Sequence, residues 1–257
     1  MPLHDAYARV TPYEIAFPHP TRLDALGTAV DEEASRSAVD PAELDTFLSL
    51  GAVGDFLAEI HGDEVPRVAL LEHGTLVFHA LGFRRADTPL FLLSTAAARG
   101  LVHDAPKAAP VAPAHAGYLQ LPQHLFWVSV EGSAPESVDG AFWAVTAAGR
   151  LHVLPVTGMR PDRPGFGALS VPDAPLTHAT DWLHATVRED GNDYASDLPG
   201  AELDGLYAIR SVGEILKLMA RFFAYVAERP GTPGPTPDAV VAGAPRPSAL
   251  PFVRVDG

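Results

Sequence analysis

The stretch that most restricts what this chain can fold into is "GAFWAVTAAGRLHVLP", residues 140–155. Two apolar runs flank Thr146–Arg150, a segment that fits a three-residue hairpin loop with Gly149 in the left-handed region, as in a G1-bulge turn. With Thr146 opposite Arg150, side-chain alternation puts Trp143, Val145, Leu151 and Val153 on one face. Phe142, Ala144, His152 and Leu154 take the other. Both faces are apolar, so the ribbon needs a covering layer on each side. The preceding run, "HLFWVSVEG" from His124, repeats the arrangement, with Trp127 pointing opposite to Phe126 and Val128. An exposed stacking platform would need its aromatics on one face with polar residues between them. The expectation is therefore that these rings fill a core.

Around this ribbon the expected fold is α+β: a mostly antiparallel sheet packed by N-terminal helices and a long C-terminal helix, ending in an extended Pro-rich tail. Residues 1–104 read as a helical segment plus a small β meander, 105–116 as a Pro/Ala linker, 117–229 as an antiparallel β region with C-terminal helices, and 230–257 as the tail. The two β regions either stay separate or join, in which case 1–229 is one domain.

Thr21 and Asp24 read as a capping box, and Asp40-Pro41 with Glu43 as a second helix start. An apolar stripe of Leu44, Phe47, Leu48, Phe56, Leu57 and Ile60 follows; Gly51 and Gly54 either permit close packing or break that helix. Val68–Leu71 and Thr75–Leu81 read as two strands around a turn at Glu72-His73-Gly74. Residues 90–93 form a further apolar run, and Ser94 or Thr95 caps a short helix. Ser211 and Glu214 open the last helix. Its broad apolar face includes Ile215, Leu216, Met219, Phe222, Phe223 and Val226, with Lys217 and Arg221 placed on the outer side. The final "PFVRV" either docks back as an edge strand or adds a strand to another chain.

Charge narrows the partners. The net charge is −14, and the few basic residues are scattered, which disfavours nucleic acid and anionic membrane surfaces. Without cysteine there is no disulfide, thiolate catalysis or Cys-held metal cluster. No secretory leader or run of about 20 apolar residues is visible. Together with an Ala-, Pro-, Arg- and Asp-rich, lysine-poor composition, this suggests a soluble bacterial protein of the cytoplasm.

Candidate chemistry is sparse. His178, Asp181 and His184 are the candidates for a metal site. Their i, i+3, i+6 spacing spreads the two imidazoles about 9 Å along a helix, which suits a solvated face better than one ion, so no metal is favoured. His73 and His79 read as a turn residue and a strand residue; His115 and His124 lie near the β region, where His152 is a candidate semi-buried imidazole. The acidic run Glu189–Asp197 departs from a calcium loop, with Gly191 early and Tyr194 at a ligand position. Neither GxSxG nor GxxxxGK[ST] occurs, no catalytic residue is assigned and no cofactor is implied. The expectation is a non-enzymatic cytoplasmic binding or assembly protein acting through protein–protein contacts, with another protein or a second copy of itself. Its contact residues would be Met219, Phe222 and Phe223 on the last helix and Phe252 and Val253 at the tip. The alternative is a small-molecule or metal-dependent hydrolase with a His/Asp site assembled from distant residues.

Overall fold

A computed structural model describes residues 7–62, 67–103, 107–123, 125–128, 136–157, 167–168, 174–175, 207–209, 212–234 and 245–257. In chain order the helices are α1 (Pro12–Ala16), α2 (Pro20–Ser37), α3 (Leu44–Ser49), α4 (Gly51–His61), α5 (Arg67–Arg85), α6 (Thr95–His103) and α7 (Val212–Glu228). The strands are β1 (Leu90–Leu93), β2 (Ala116–Gln120), β3 (Phe126–Val128), β4 (Glu136–Val145), β5 (Arg150–Thr157), β6 (Gly167–Ala168), β7 (Ala174–Pro175), β8 (Tyr207–Ile209), β9 (Thr232–Pro233) and β10 (Phe252–Val255). Helices and one mixed sheet make an α+β fold. The main path of the sheet runs β6-β5-β4-β2-β1-β10-β9. β1 pairs parallel with both β2 and β10, and the other pairings along this path are antiparallel. Among the described residues no helix is long and apolar enough to cross a membrane.

The β4–β5 hairpin has the geometry its sequence demands. Gly149 sits at φ +77°, its N–H donates to the Thr146 carbonyl at 2.9 Å, and the Thr146 N–H donates to the Arg150 carbonyl at 2.9 Å. Trp143 faces Val153 and Phe142 faces Leu154 across the pair. Trp143, Leu151 and Val153 then enter a core shared with α6 and α7, while Phe142 and Leu154 enter a second core built by α1–α5. Trp143 is fully buried. Its indole lies over Gly117, where a Cβ would stand 2.2 Å from the ring, and its Nε1–H donates to the Ala114 carbonyl at 3.0 Å. Trp127, on β3, is half-buried. The β1 and β2 regions join in one sheet, with α6 between them in the chain.

Several expectations are corrected. The region expected to be a hairpin at 68–81 belongs to the continuous helix α5. Every position from Gly74 to Leu81 is buried, so its apolar run carries no helical alternation. Gly74 makes no turn: a Cβ there would stand 2.5 Å from Leu48 Cδ2, so the glycine lets α5 pass close to α3. The helix expected from Asp40 starts at Leu44 and is interrupted at Leu50; the Asp40 carboxylate instead accepts from the Ala42 N–H at 2.9 Å in the preceding turn. Thr21 is inside α2, which begins at Pro20. Among the described residues a capping box forms by Thr11 with Glu14 at the start of α1, and Ser211 lies outside them.

Lys217 and Arg221 are not outside. Each is 6% exposed, and the Arg221 guanidinium donates to the Leu101 and Val102 carbonyls at 2.9 and 2.7 Å. Those carbonyls lie in the last turn of α6, where a helix end favours a cation. The "PFVRV" segment docks, but as an interior strand. β10 lies between β1 and β9, pairing Phe252 with Leu90 and Val255 with Leu93.

Candidate functional site

Polar residues of the described chain gather in three places. The first is buried. The N-terminal segment bridges Pro247 through Arg9, and the Arg9 side chain is buried. Its Nη2 donates to Asp139 Oδ1 at 2.9 Å and to the Leu121 carbonyl at 2.8 Å. The Tyr118 hydroxyl donates to Asp139 Oδ2 at 2.6 Å, and Gln120 exchanges hydrogen bonds with the Arg9 backbone at 2.7 and 3.1 Å. Burial first, then the Asp139 charge, raises the Tyr118 phenol well above its ordinary value, so it stays a donor. Gly140 makes room beside the tyrosine: a Cβ there would stand 2.7 Å from the phenol oxygen. These bonds clasp the N-terminal segment to β2 and β4, away from solvent.

The second group is a histidine pair. His79 projects from α5 and His152 from β5, and the Phe78 ring meets both edge-on at 5.2 and 5.4 Å. Burial, reinforced by His152, pushes the His79 pKa down to about 3. Burial also lowers His152, against the pull of Glu43, whose Oε2 is 3.8 Å from His152 Nε2. Both rings are therefore neutral at pH 7, and among the described residues His79 Nδ1 and His152 Nε2 have no hydrogen-bond partner. Among the described residues no three His, Asp or Glu side chains gather in a way that could hold a metal ion.

The third group is on the surface. Residues 21–62, which cover α2 to α4, carry nine carboxylates and two arginines. None of the nine is buried. Some have local work. Asp24 and Asp31 pair with Arg84 and Arg85 at 3.0 and 2.8 Å, and the Arg84 hydrogen bond lowers the Asp24 pKa. Glu33 accepts the Gly51 and Ala52 N–H groups at the start of α4, and those bonds, Ala52 first, lower its pKa. Glu32, Asp45 and Asp55 stand exposed with no ion pair among the described residues. At the end of this layer, Ile60 on α4 and Leu71 on α5 are 49% and 51% exposed.

An open cavity of about 650 Å³ lies at the carboxyl ends of the parallel strands β1 and β10, lined by Ser94, Arg99, Arg254 and Asp256 among others. Its polar groups are partly committed: Ser94 Oγ caps the Ala97 N–H, and Arg254 pairs with Asp256 at 2.9 Å.

The residues expected to hold a partner are inside the chain's own core. Met219, Phe222 and Phe223 are fully buried, Phe252 is 9% exposed, and Val253 is half-buried within the sheet. The apolar face of Met219, Phe222 and Phe223 is real, but Trp143, Phe91 and α6 cover it, while Phe252 enters the core under α1–α5. His178, Asp181 and His184 lie outside the described residues, as do His124 and the 189–197 acidic run. His73 and His79 do not converge on each other: His73 meets His61 and His79 lies near His152. His115 is exposed ahead of β2. The acidic helical layer could have been found by counting charge along the chain; the meeting of α4 and α5 could not.

Fold and surface together define an α+β chain with an acidic helical layer on one face of a mixed sheet. In comparisons with known proteins, no family model, no curated protein and no solved structure matches it.

Proposed function

We propose that this chain is a non-enzymatic binding protein that acts through protein–protein contacts, using its acidic helical layer. The observation that carries the reading is the charge imbalance across α2–α4, nine carboxylates to two arginines, next to exposed Ile60 and Leu71. Such a surface steers a basic partner by its field, while the apolar residues supply contact area that water would otherwise cover. The complementary partner is a protein with a basic, apolar-centred face. This moves the proposed contact from the last helix and the tip to α4 and α5.

The test places a photo-crosslinking residue at position 71 of the full chain, with position 111 as an exposed control. An adduct with a basic protein at 71, absent at 111 and reduced by Asp45→Lys with Asp55→Lys, is the expected result. Equal labelling at both positions overturns the proposal. An adduct with a second copy of this acidic chain overturns the basic partner and makes the layer a self-association face.

A further inference from the structure

α4 ends at His61 and α5 begins at Arg67, with His73 in its second turn, so two helix ends each bring an imidazole to one corner. His73 Nδ1 stands 2.6 Å from His61 Nε2, and the ring planes lie within 10° of each other. The two nitrogens share one hydrogen bond. In such a bond one ring donates its N–H, and the other must offer a bare lone pair.

We propose that the His61–His73 hydrogen bond is an acid-released latch that holds the end of α4 against the start of α5. With both rings neutral, the bond closes when one facing nitrogen carries a proton and the other does not. One added proton leaves it closed, because a charged imidazolium N–H donates to a neutral ring more strongly than a neutral one does. A second proton gives both facing nitrogens an N–H, so neither can accept. The bond is then lost and two like charges face each other. Acid therefore opens the corner that carries exposed Ile60 and Leu71.

His73 is exposed and His61 half-buried, so protons reach the pair without unfolding the chain. Burial, then the neighbouring His61, holds the His73 pKa below its ordinary 6.5, while Glu72 pulls it up by less. The open corner thus takes the second proton more readily than the closed one. The latch is complete above about pH 6.5 and is lost as pH falls below it. On α4, the Glu59 carboxylate is taken up by Arg22 of α2 at 2.6 Å. Among the described residues α2 and α3, which also pack against α5, contribute no charge to the His73 shift. Charging the buried His79 costs the whole fold, whereas the latch releases one corner. It does not rest on the protein-binding reading.

The test is amide hydrogen exchange of the full chain, read by NMR at pH 7.5 and pH 5. The Gly62 N–H, which closes α4 by donating to the Ala58 carbonyl at 2.7 Å, reports the corner. The N–H of buried Leu26 in α2 reports global opening. The expected result is a Gly62 protection factor that falls at least tenfold more than that of Leu26. His73→Gln keeps a hydrogen-bonding side chain that cannot charge, and it should remove the extra fall; His115→Gln, the exposed control, should keep it. Equal falls at Gly62 and Leu26, an extra fall that survives in His73→Gln, or one lost in His115→Gln overturns the latch. If His73→Gln fails to fold, ring NMR titration of the unsubstituted chain decides. Both rings must report the same two proton-binding steps; independent single-step curves overturn the latch.

Discussion

The two cores on either side of the sheet are built from different materials. Under α6 and α7, Trp143 meets Phe222 and Phe223 at 5.9 and 5.6 Å, and Phe91 meets Trp143 and Phe222 at 5.8 and 5.5 Å. The buried Arg221 beside them donates to two carbonyls at a helix end. Under α1–α5 the aromatic packing is as dense, but His79, His152 and the Arg9–Asp139 pair are enclosed with it. Among the described residues the buried histidines therefore lie on one face of the sheet. A close-packed interior tolerates buried polar groups only when each is paired or neutral, and the two faces use those two solutions differently.

The largest expected effect comes from acid. The folded chain holds His79 near 3 against an ordinary 6.5, so between those values the unfolded chain binds a proton that the folded chain refuses. The His79 contribution is then complete above about pH 6.5, falls as pH drops through that window and is spent below about pH 3. The span corresponds to a loss of up to about 5 kcal/mol at 1.36 kcal/mol per pKa unit. His152, lowered in the same direction, adds to the slope. Urea unfolding at a series of pH values should show His79→Leu flattening this limb. An unchanged slope in that variant would mean the two faces do not differ in titration.

Next in size is the buried ion pair. Asp139→Ala leaves the Arg9 guanidinium, 3% exposed, without its carboxylate and frees the Tyr118 hydroxyl. Removing one partner of a buried pair costs about 3–5 kcal/mol. Replacing both, Arg9→Met with Asp139→Leu, should recover most of that loss, since no uncompensated charge remains. Denaturant midpoints of the three proteins at one pH check this. A double variant no better than the single one would show that the pair, not the orphaned charge, sets the stability of this face.

How far the sequence discloses this arrangement depends on what each segment repeats. The β4–β5 ribbon alternates every second residue and closes on a left-handed glycine, so its two faces and its double covering are legible. α5 is not, because a helix buried on all sides repeats nothing. Leu76, Val77, Phe78, Ala80 and Leu81 read as readily in a strand, and Gly74 imitates a turn while serving helix packing. The apolar face of α7 is legible as a face that needs cover, but a single sequence does not say that β4 and α6 supply it. The docking of β10 rests on a parallel pairing between residues 90–93 and 252–255, a separation over which no local rule operates. The histidine pairs are hidden for the same reason: His61 with His73 and His79 with His152 meet only once the helices have packed.

The smallest of these effects sharpens the comparison from the other side. Arg221→Met keeps the length and most of the packing of the side chain but removes two charge-assisted bonds to the Leu101 and Val102 carbonyls. Hydrogen bonds involving a charged group contribute about 1.5–3 kcal/mol, and the methionine thioether removes the cost of burying the charge, so the net loss should fall at the lower end. Because no histidine is packed against α7 in the described core, the variant should lower the urea midpoint by the same amount at pH 7.5 and at pH 4.5. His79→Leu should instead matter far more at pH 4.5. A pH-dependent deficit in Arg221→Met would show that the two cores share their titration through the sheet rather than keeping it on one side.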